Sequence, residues 1–212
     1  TFFNLRRMLM NKSFIIKIFI LCLVSIKVIA IEKVVLFGDS LMAGYGLPNE
    51  QHLSVVLQNN LKSNGFNIAV INGSVSGSTS SGGLNRAEWT LSDNNIDLMI
   101  LCLGANDMLR GIKPSETEQN LEKIIKIAKS KRIEIILAGI LAPTSYGSEY
   151  KKNFDQIYLK LSKKYDLELI PFLLKGVAFN PSLNLSDGMH PNKEGTAIIS
   201  NTLKKSILRY IK

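Results

Sequence analysis

The chain is poor in the residues that anchor metals and covalent cross-links. Its 212 residues include two cysteines (Cys22, Cys102), two histidines (His52, His190) and one tryptophan, Trp89. With no ligand-spaced His/Cys cluster, a zinc or iron–sulfur site is excluded, and so is a disulfide-stapled miniature fold. No metal and no cofactor is expected. Internal repeats, low-complexity tracts and linker-like stretches are also missing. A solenoid or multidomain layout is thereby excluded, and one domain of ordinary size remains.

Acidic residues are absent before Glu32. The net charge is +9, but residues 1–30 carry five Lys/Arg and no acid, which leaves 21 basic against 17 acidic residues beyond them. That balance is ordinary, and no basic cluster is interleaved with aromatics, so a nucleic-acid partner is excluded. Arg6, Arg7 and Lys12 precede an apolar stretch over 13–30 that closes on Val28 and Ala30. A basic region, an apolar region and small residues at its end form the layout of a secretory signal. Lys17 and Lys27 leave nine uninterrupted apolar or small residues, Ile18 to Ile26, against the ~20 a bilayer span needs. Leu21 before Cys22 argues against a lipid anchor there.

The expected organisation is therefore a cleaved signal over 1–30 and a single domain over 31–212. The destination is the periplasm or the exterior, with no stable membrane insertion after cleavage. Thr1 stands where a methionine is expected, so residues 1–7 are taken to precede a start at Met8 or Met10. Only Cys102 would survive cleavage, so the exported fold must stand without a disulfide.

Beyond residue 30, apolar runs alternate with amphipathic stretches. The runs predict strands at 33–38, 67–72, 97–103, 133–140 and 168–172; the stretches predict helices near 50–63, 82–93, 115–131, 149–165 and 192–209. Each strand is a near-continuous apolar run rather than an alternating one, as strands buried on both faces are. The third helix is the clearest. Pro114 opens it, Glu116 and Glu118 occupy its first turn, and Lys129 and Lys131 close it. The fold class is α/β, a parallel sheet covered on both faces.

In such a sheet every strand's carboxyl end points to one edge, where ligands bind. Gly38-Asp39-Ser40-Leu41 follows the first strand and places a hydroxyl there. The second is followed by Asn72–Gly77, glycine- and serine-rich, and the third by Gly104-Ala105-Asn106-Asp107. A loop with bulk, Ala142–Gly147, follows the fourth. Before the last helix stands Asp187-Gly188-Met189-His190-Pro191.

Taken singly, each segment reads as a turn, and Asp187 with His190 also reads as a capping turn. Together they supply what ester hydrolysis by a serine requires: a hydroxyl, a base with an orienting acid, and donors for an oxyanion. Ser40 is the candidate nucleophile, His190 the base and Asp187 its orienter. The Ser40 N–H, the Gly77 N–H and the Asn106 amide are the candidate oxyanion donors. His52 is expected on the surface, and Asp39 to hold its turn together.

The blocks GDSLMAGYGL (38–47), NGSVSGSTSSGGL (72–84), LGANDMLRG (103–111) and DGMHPN (187–192) resemble the four signatures of the SGNH, or GDSL, hydrolases. The likeness is strongest to the bacterial periplasmic thioesterase I/lysophospholipase L1/arylesterase branch, and runs from about residue 33 to the final helix. It implies the same roles for Ser40, Gly77, Asn106, Asp187 and His190. It also implies a flavodoxin-like three-layer α/β/α sandwich with a five-stranded parallel sheet. Two departures stand out: Gly104-Ala105 where that branch often has two glycines, and Ser78 where an acid is common. The segment Pro143–Tyr150 resembles the branch's substrate-lining loop. With Met108, Leu109 and Ile112, it makes Pro143 and Tyr146 candidate walls of an apolar acyl groove.

The expected function is hydrolysis of small-molecule acyl esters or thioesters, lysophospholipids among them, through an acyl-enzyme. A carbohydrate O-deacetylase uses the same blocks, but its site is expected to be shallower, more polar and furnished with aromatics. A non-catalytic binding module would have lost at least one of the five site residues, and all five are present.

Overall fold

The computed structural model describes residues 31–211; the expected signal segment lies outside them. Five apolar runs form the strands: β1 (Lys33–Gly38), β2 (Ala69–Asn72), β3 (Leu98–Cys102), β4 (Glu134–Ala138) and β5 (Glu168–Ile170). They build one parallel sheet in the order β2-β1-β3-β4-β5. The three central strands are buried almost throughout, whereas β2 and β5, at the edges, are only partly so. That division follows from having a neighbour on both sides or on one.

Among the described residues, seven α-helices connect and flank the strands: α1 (Ser40–Ala43), α2 (Leu53–Ser63), α3 (Ser80–Thr90), α4 (Ala105–Leu109), α5 (Pro114–Ser130), α6 (Ser148–Tyr165) and α7 (Lys193–Ile207). The chain steps outward from β1 to β2, then returns past β1 to β3 and continues to β5. Right-handed crossovers therefore put α2 on one face and α3, α5 and α6 on the other. Helix α7 packs beside α2, and α5 packs between α3 and α6. The result is a three-layer α/β/α sandwich. As its spacing predicts, α5 turns Leu121, Ile124, Ile125 and Ala128 into the core.

The reversal of direction between β1 and β3 is the topological switch point, where open α/β sheets bind ligands. Register makes the neighbourhood concrete, because Gly38 pairs with Cys102. The segments that follow, carrying Ser40 and Asn106, leave the sheet side by side.

Two differences from the sequence expectation concern local structure. Helices α1 and α4, of 4 and 5 residues, are too short to leave a periodic signal. His52 is half-buried rather than superficial; its Nε2–H donates to the Leu47 carbonyl at 3.0 Å. No helix among the described residues is long and apolar enough to cross a membrane.

Candidate active site

Ser40 owes its position to its neighbour. Asp39 is the N-cap of α1, and its Oδ1 accepts the Leu41 N–H at 3.0 Å. The cap starts a helix directly after β1 and leaves Ser40 as its first residue, at the mouth of a cavity. The Ser40 N–H and the Gly77 N–H have no acceptor among the described residues. Gly77 has φ of +77°, a left-handed conformation in which a side chain is strained.

On the far side of the mouth, a bridge between Asn184 and Pro191 closes the turn that carries His190. Asp187 Oδ1 accepts the Met189 and His190 N–H groups at 2.8 and 3.0 Å. Asp187 Oδ2 lies 2.7 Å from His190 Nδ1, and His190 Nε2 lies 2.8 Å from Ser40 Oγ. Capping of α7 falls to Asn192, which accepts from Gly195 N, so Asp187 is free to hold the imidazole. The Tyr45 ring packs on the imidazole with centroids 4.4 Å apart. The Asp187 carboxyl is held at about 2, first by the His190 backbone N–H and then by the Met189 N–H and the His190 ring. It is therefore ionised wherever the imidazole takes up a proton, and it stabilises the imidazolium.

Asn106 sits in α4 with its Nδ2 3.4 Å from Asp39 Oδ2. Its helix starts after Gly104, whose φ is +124° and where any Cβ would meet the Tyr158 hydroxyl. Glycine is needed at Gly104. Ala105, by contrast, is the first residue of α4 and has regular helical backbone, so its methyl is accommodated.

Charged side chains lock these segments together. The Arg86 guanidinium donates to Gly73 O at 2.6 Å and Gly38 O at 2.9 Å, and lies 4.0 Å above the Phe37 ring. It thereby clamps the ends of β1 and β2. Arg110 donates to Gly77 O at 3.1 Å. The Cys102 thiol is fully buried, and burial raises its pKa well above the usual value, so it is inert as a nucleophile.

The cavity measures about 830 Å³, and Ser40, Gly77, Asn106 and His190 all reach its surface. Its walls are largely apolar. Met108, Leu109 and Pro143 line it, as do Ile140, Leu141, Phe172, Leu174 and Phe179. Ile112 and Tyr146, expected among the walls, stand outside the lining, and this corrects the sequence reading. Ile112 lies beyond the turn that closes α4, where its carbonyl accepts from the Tyr150 hydroxyl at 2.9 Å. The Tyr146 ring packs on Tyr150, 5.5 Å away, at the head of a file that continues through Phe154 to Tyr158. Phe172, Leu174 and Phe179 follow β5 and are absent from the sequence expectation. The sheet-edge rule, applied to that strand too, would have found them. Among the described residues no group of three or more His, Cys, Asp or Glu side chains has the disposition of a metal site.

A hydroxyl, an imidazole and a carboxylate in hydrogen-bonded series, at the switch point of a doubly covered parallel sheet, have the form of a serine-hydrolase site. A profile of the GDSL-like lipase/acylhydrolase family matches residues 36–198, and the chain belongs to that family. It is 36% identical to an arylesterase of Vibrio mimicus, over 86% of this chain and 91% of the relative. It is 34% identical to the thioesterase 1/protease 1/lysophospholipase L1 of Escherichia coli K12, over 88% of each. The esterase EstA of a Pseudoalteromonas species, solved with monoethylphosphonate as inhibitor, superposes with a TM-score of 0.80. That match has 30% identity and covers 85% of this chain and 98% of that one. The chain is a hydrolase with esterase activity.

Proposed function

We propose that the chain is an exported serine esterase for acyl esters and thioesters, with Ser40 as nucleophile, His190 as general base and Asp187 as its orienter. The observation that carries this reading is the unbroken series Ser40 Oγ–His190 Nε2–His190 Nδ1–Asp187 Oδ2, at 2.8 and 2.7 Å, opening into an apolar cavity.

His190 takes the Ser40 proton as Oγ attacks the acyl carbon. The negative charge on the former carbonyl oxygen is met by the Ser40 N–H, the Gly77 N–H and the Asn106 Nδ2–H. The protonated imidazole then gives its proton to the departing alkoxide or thiolate, leaving an acyl-Ser40 ester. Water, deprotonated by the same imidazole, hydrolyses that ester and frees the acid.

The apolar walls from Met108, Leu141, Phe172 and Phe179 suit an acyl chain and weigh against the shallow polar site of a carbohydrate O-deacetylase. Trp89 stands 81% exposed on α3 and is not part of the cavity lining, so it offers no sugar-stacking surface there. The reading of residues 1–30 as an export signal places the enzyme in the periplasm or outside the cell.

The test is a substrate panel on wild type and Ser40→Ala: p-nitrophenyl esters from C2 to C16, an acyl-CoA, a lysophospholipid and an acetylated sugar. Wild type is expected to hydrolyse the acyl esters and thioester and to be labelled by a fluorophosphonate; Ser40→Ala should do neither. Labelling retained at another residue would refute the assignment, and turnover confined to the acetylated sugar would move the substrate to carbohydrate.

A further inference from the structure

Asp39 is the carboxylate next to the nucleophile that the catalytic series does not use. It is completely buried. One oxygen caps α1 through Leu41 N, and the other faces the Asn106 amide nitrogen at 3.4 Å.

A carboxylate accepts hydrogen bonds and cannot donate them. It therefore distinguishes the two ends of a side-chain amide, attracting the NH2 end and repelling the carbonyl. With Nδ2 turned to Asp39, one N–H is held there and the other remains for the cavity that Asn106 shares with Ser40 and Gly77. A flipped amide would present its carbonyl oxygen instead, and would repel the charge it is meant to stabilise.

We infer that Asp39 is a positioning residue whose ionised carboxylate selects the donor-inward orientation of the Asn106 amide, and that protonating Asp39 releases that selection. The inference rests on the proposed role of Asn106 as an oxyanion donor.

The surroundings set where the switch falls. Burial raises the Asp39 pKa to about 6, opposed by the bonds from Leu41 and Asn106 and by His190, and reinforced by Asp107. The other charged or titratable groups facing it are Arg86 from α3, Cys102 from β3 and Tyr158 from α6. At 3.4 Å the bond is long, as hydrogen bonds in unliganded sites often are before substrate tightens them.

The deciding variant is Asp39→Asn. It keeps the shape and the N-cap, since asparagine caps as well as aspartate, but its amide accepts and donates alike. The assay follows kcat and KM for p-nitrophenyl butyrate against pH. The expected result is a kcat lower by roughly tenfold or more, a KM within about twofold of wild type, and loss of one ionisation from the acid limb of kcat. Asp39→Ser, which also caps, should behave the same way. Because Asp39 acts through Asn106, the pair Asp39→Asn/Asn106→Ala should be no slower than Asn106→Ala alone.

An unchanged kcat and acid limb in Asp39→Asn, or a further multiplicative loss in the double variant, would overturn the inference. Either result in an enzyme that Asn106→Ala slows leaves the proposed function standing. A wild-type protein without ester turnover strikes at the proposed function instead.

Discussion

The Asp107 carboxylate grips Ser80 through both of that residue's donors, the backbone N–H at 2.7 Å and the hydroxyl at 2.5 Å. Thr117 adds a third bond to it at 3.2 Å, and Asn120 donates to the Ser80 hydroxyl at 3.0 Å. Asp107 directly follows Asn106, and Ser80 stands three residues beyond Gly77. This fully buried contact therefore sets the spacing of two proposed oxyanion donors that come from different strands' loops.

Replacing Asp107 by alanine leaves two hydroxyls and a backbone N–H without their charged acceptor. Hydrogen bonds to a charged group contribute about 1.5–3 kcal/mol each and do not add. A loss of ~3 kcal/mol is expected, or a Tm lower by roughly 6–12 °C for a domain of this size. Differential scanning calorimetry reads the first effect. At a temperature where the variant is still folded, kcat should fall more than KM rises. A variant as stable and as fast as wild type would remove Asp107 from this role.

Asn106→Ala removes one proposed oxyanion donor and little buried surface. kcat is expected to fall by about 10²–10³ with the melting curve nearly unchanged. Steady-state kinetics on a p-nitrophenyl ester, paired with circular dichroism, checks both halves. An unaltered kcat would make the amide structural.

Asp39 has a thermodynamic signature separate from its kinetic one. Its folded pKa of about 6 lies above its ordinary 3.8. Between those values the folded chain keeps a proton that the unfolded chain has released, so stability falls as pH rises through this window and stays lower above it. Asp39→Asn is free of that penalty. It should melt higher than wild type at pH 8, with the gap closing by about pH 4. Thermal melts at the two pH values decide, and a gap that widens toward acid would reverse the sign.

Gly104→Ala forces a side chain onto backbone at φ of +124° and into the Tyr158 hydroxyl, which donates to Leu103 O at 2.9 Å. Strained backbone of this kind costs on the order of 1–3 kcal/mol before any clash. Urea denaturation should show a lower midpoint, whereas Ala105→Gly should change stability by less than the Gly104 variant.

Much of this was legible in the sequence because parallel strands buried on both faces read as apolar runs, and because their carboxyl ends share an edge. Ser40, Gly77 and Asn106 could be collected by that rule, and Asp187 with His190 by their spacing in the turn before the last helix, although 150 positions separate Ser40 from His190. Less visible was whatever depends on which way a side chain turns. Tyr146 and Ile112 lie in the right loops but face their neighbours instead of the cavity. Arg86 is one cation among many in the sequence, and only three-dimensional proximity makes it the clamp between β1 and β2. The half-burial of His52 likewise depends on a turn at Leu47 that no periodicity announces.

The clamps of Arg86 on Gly38 and Gly73, of Asp107 on Ser80 and of Asp187 on His190 involve none of the wall residues Ile140, Leu141, Phe172 or Phe179. Met108 and Leu109 share α4 with Asn106, but the walls contributed after β4 and β5 are drawn from loops apart from the clamped residues. Mutational drift can reshape the walls, one loop at a time, while the reacting groups keep their spacing. Changes within the clamped set must instead arrive in compensated pairs. A lineage built this way diversifies in what it cleaves long before it changes how it cleaves.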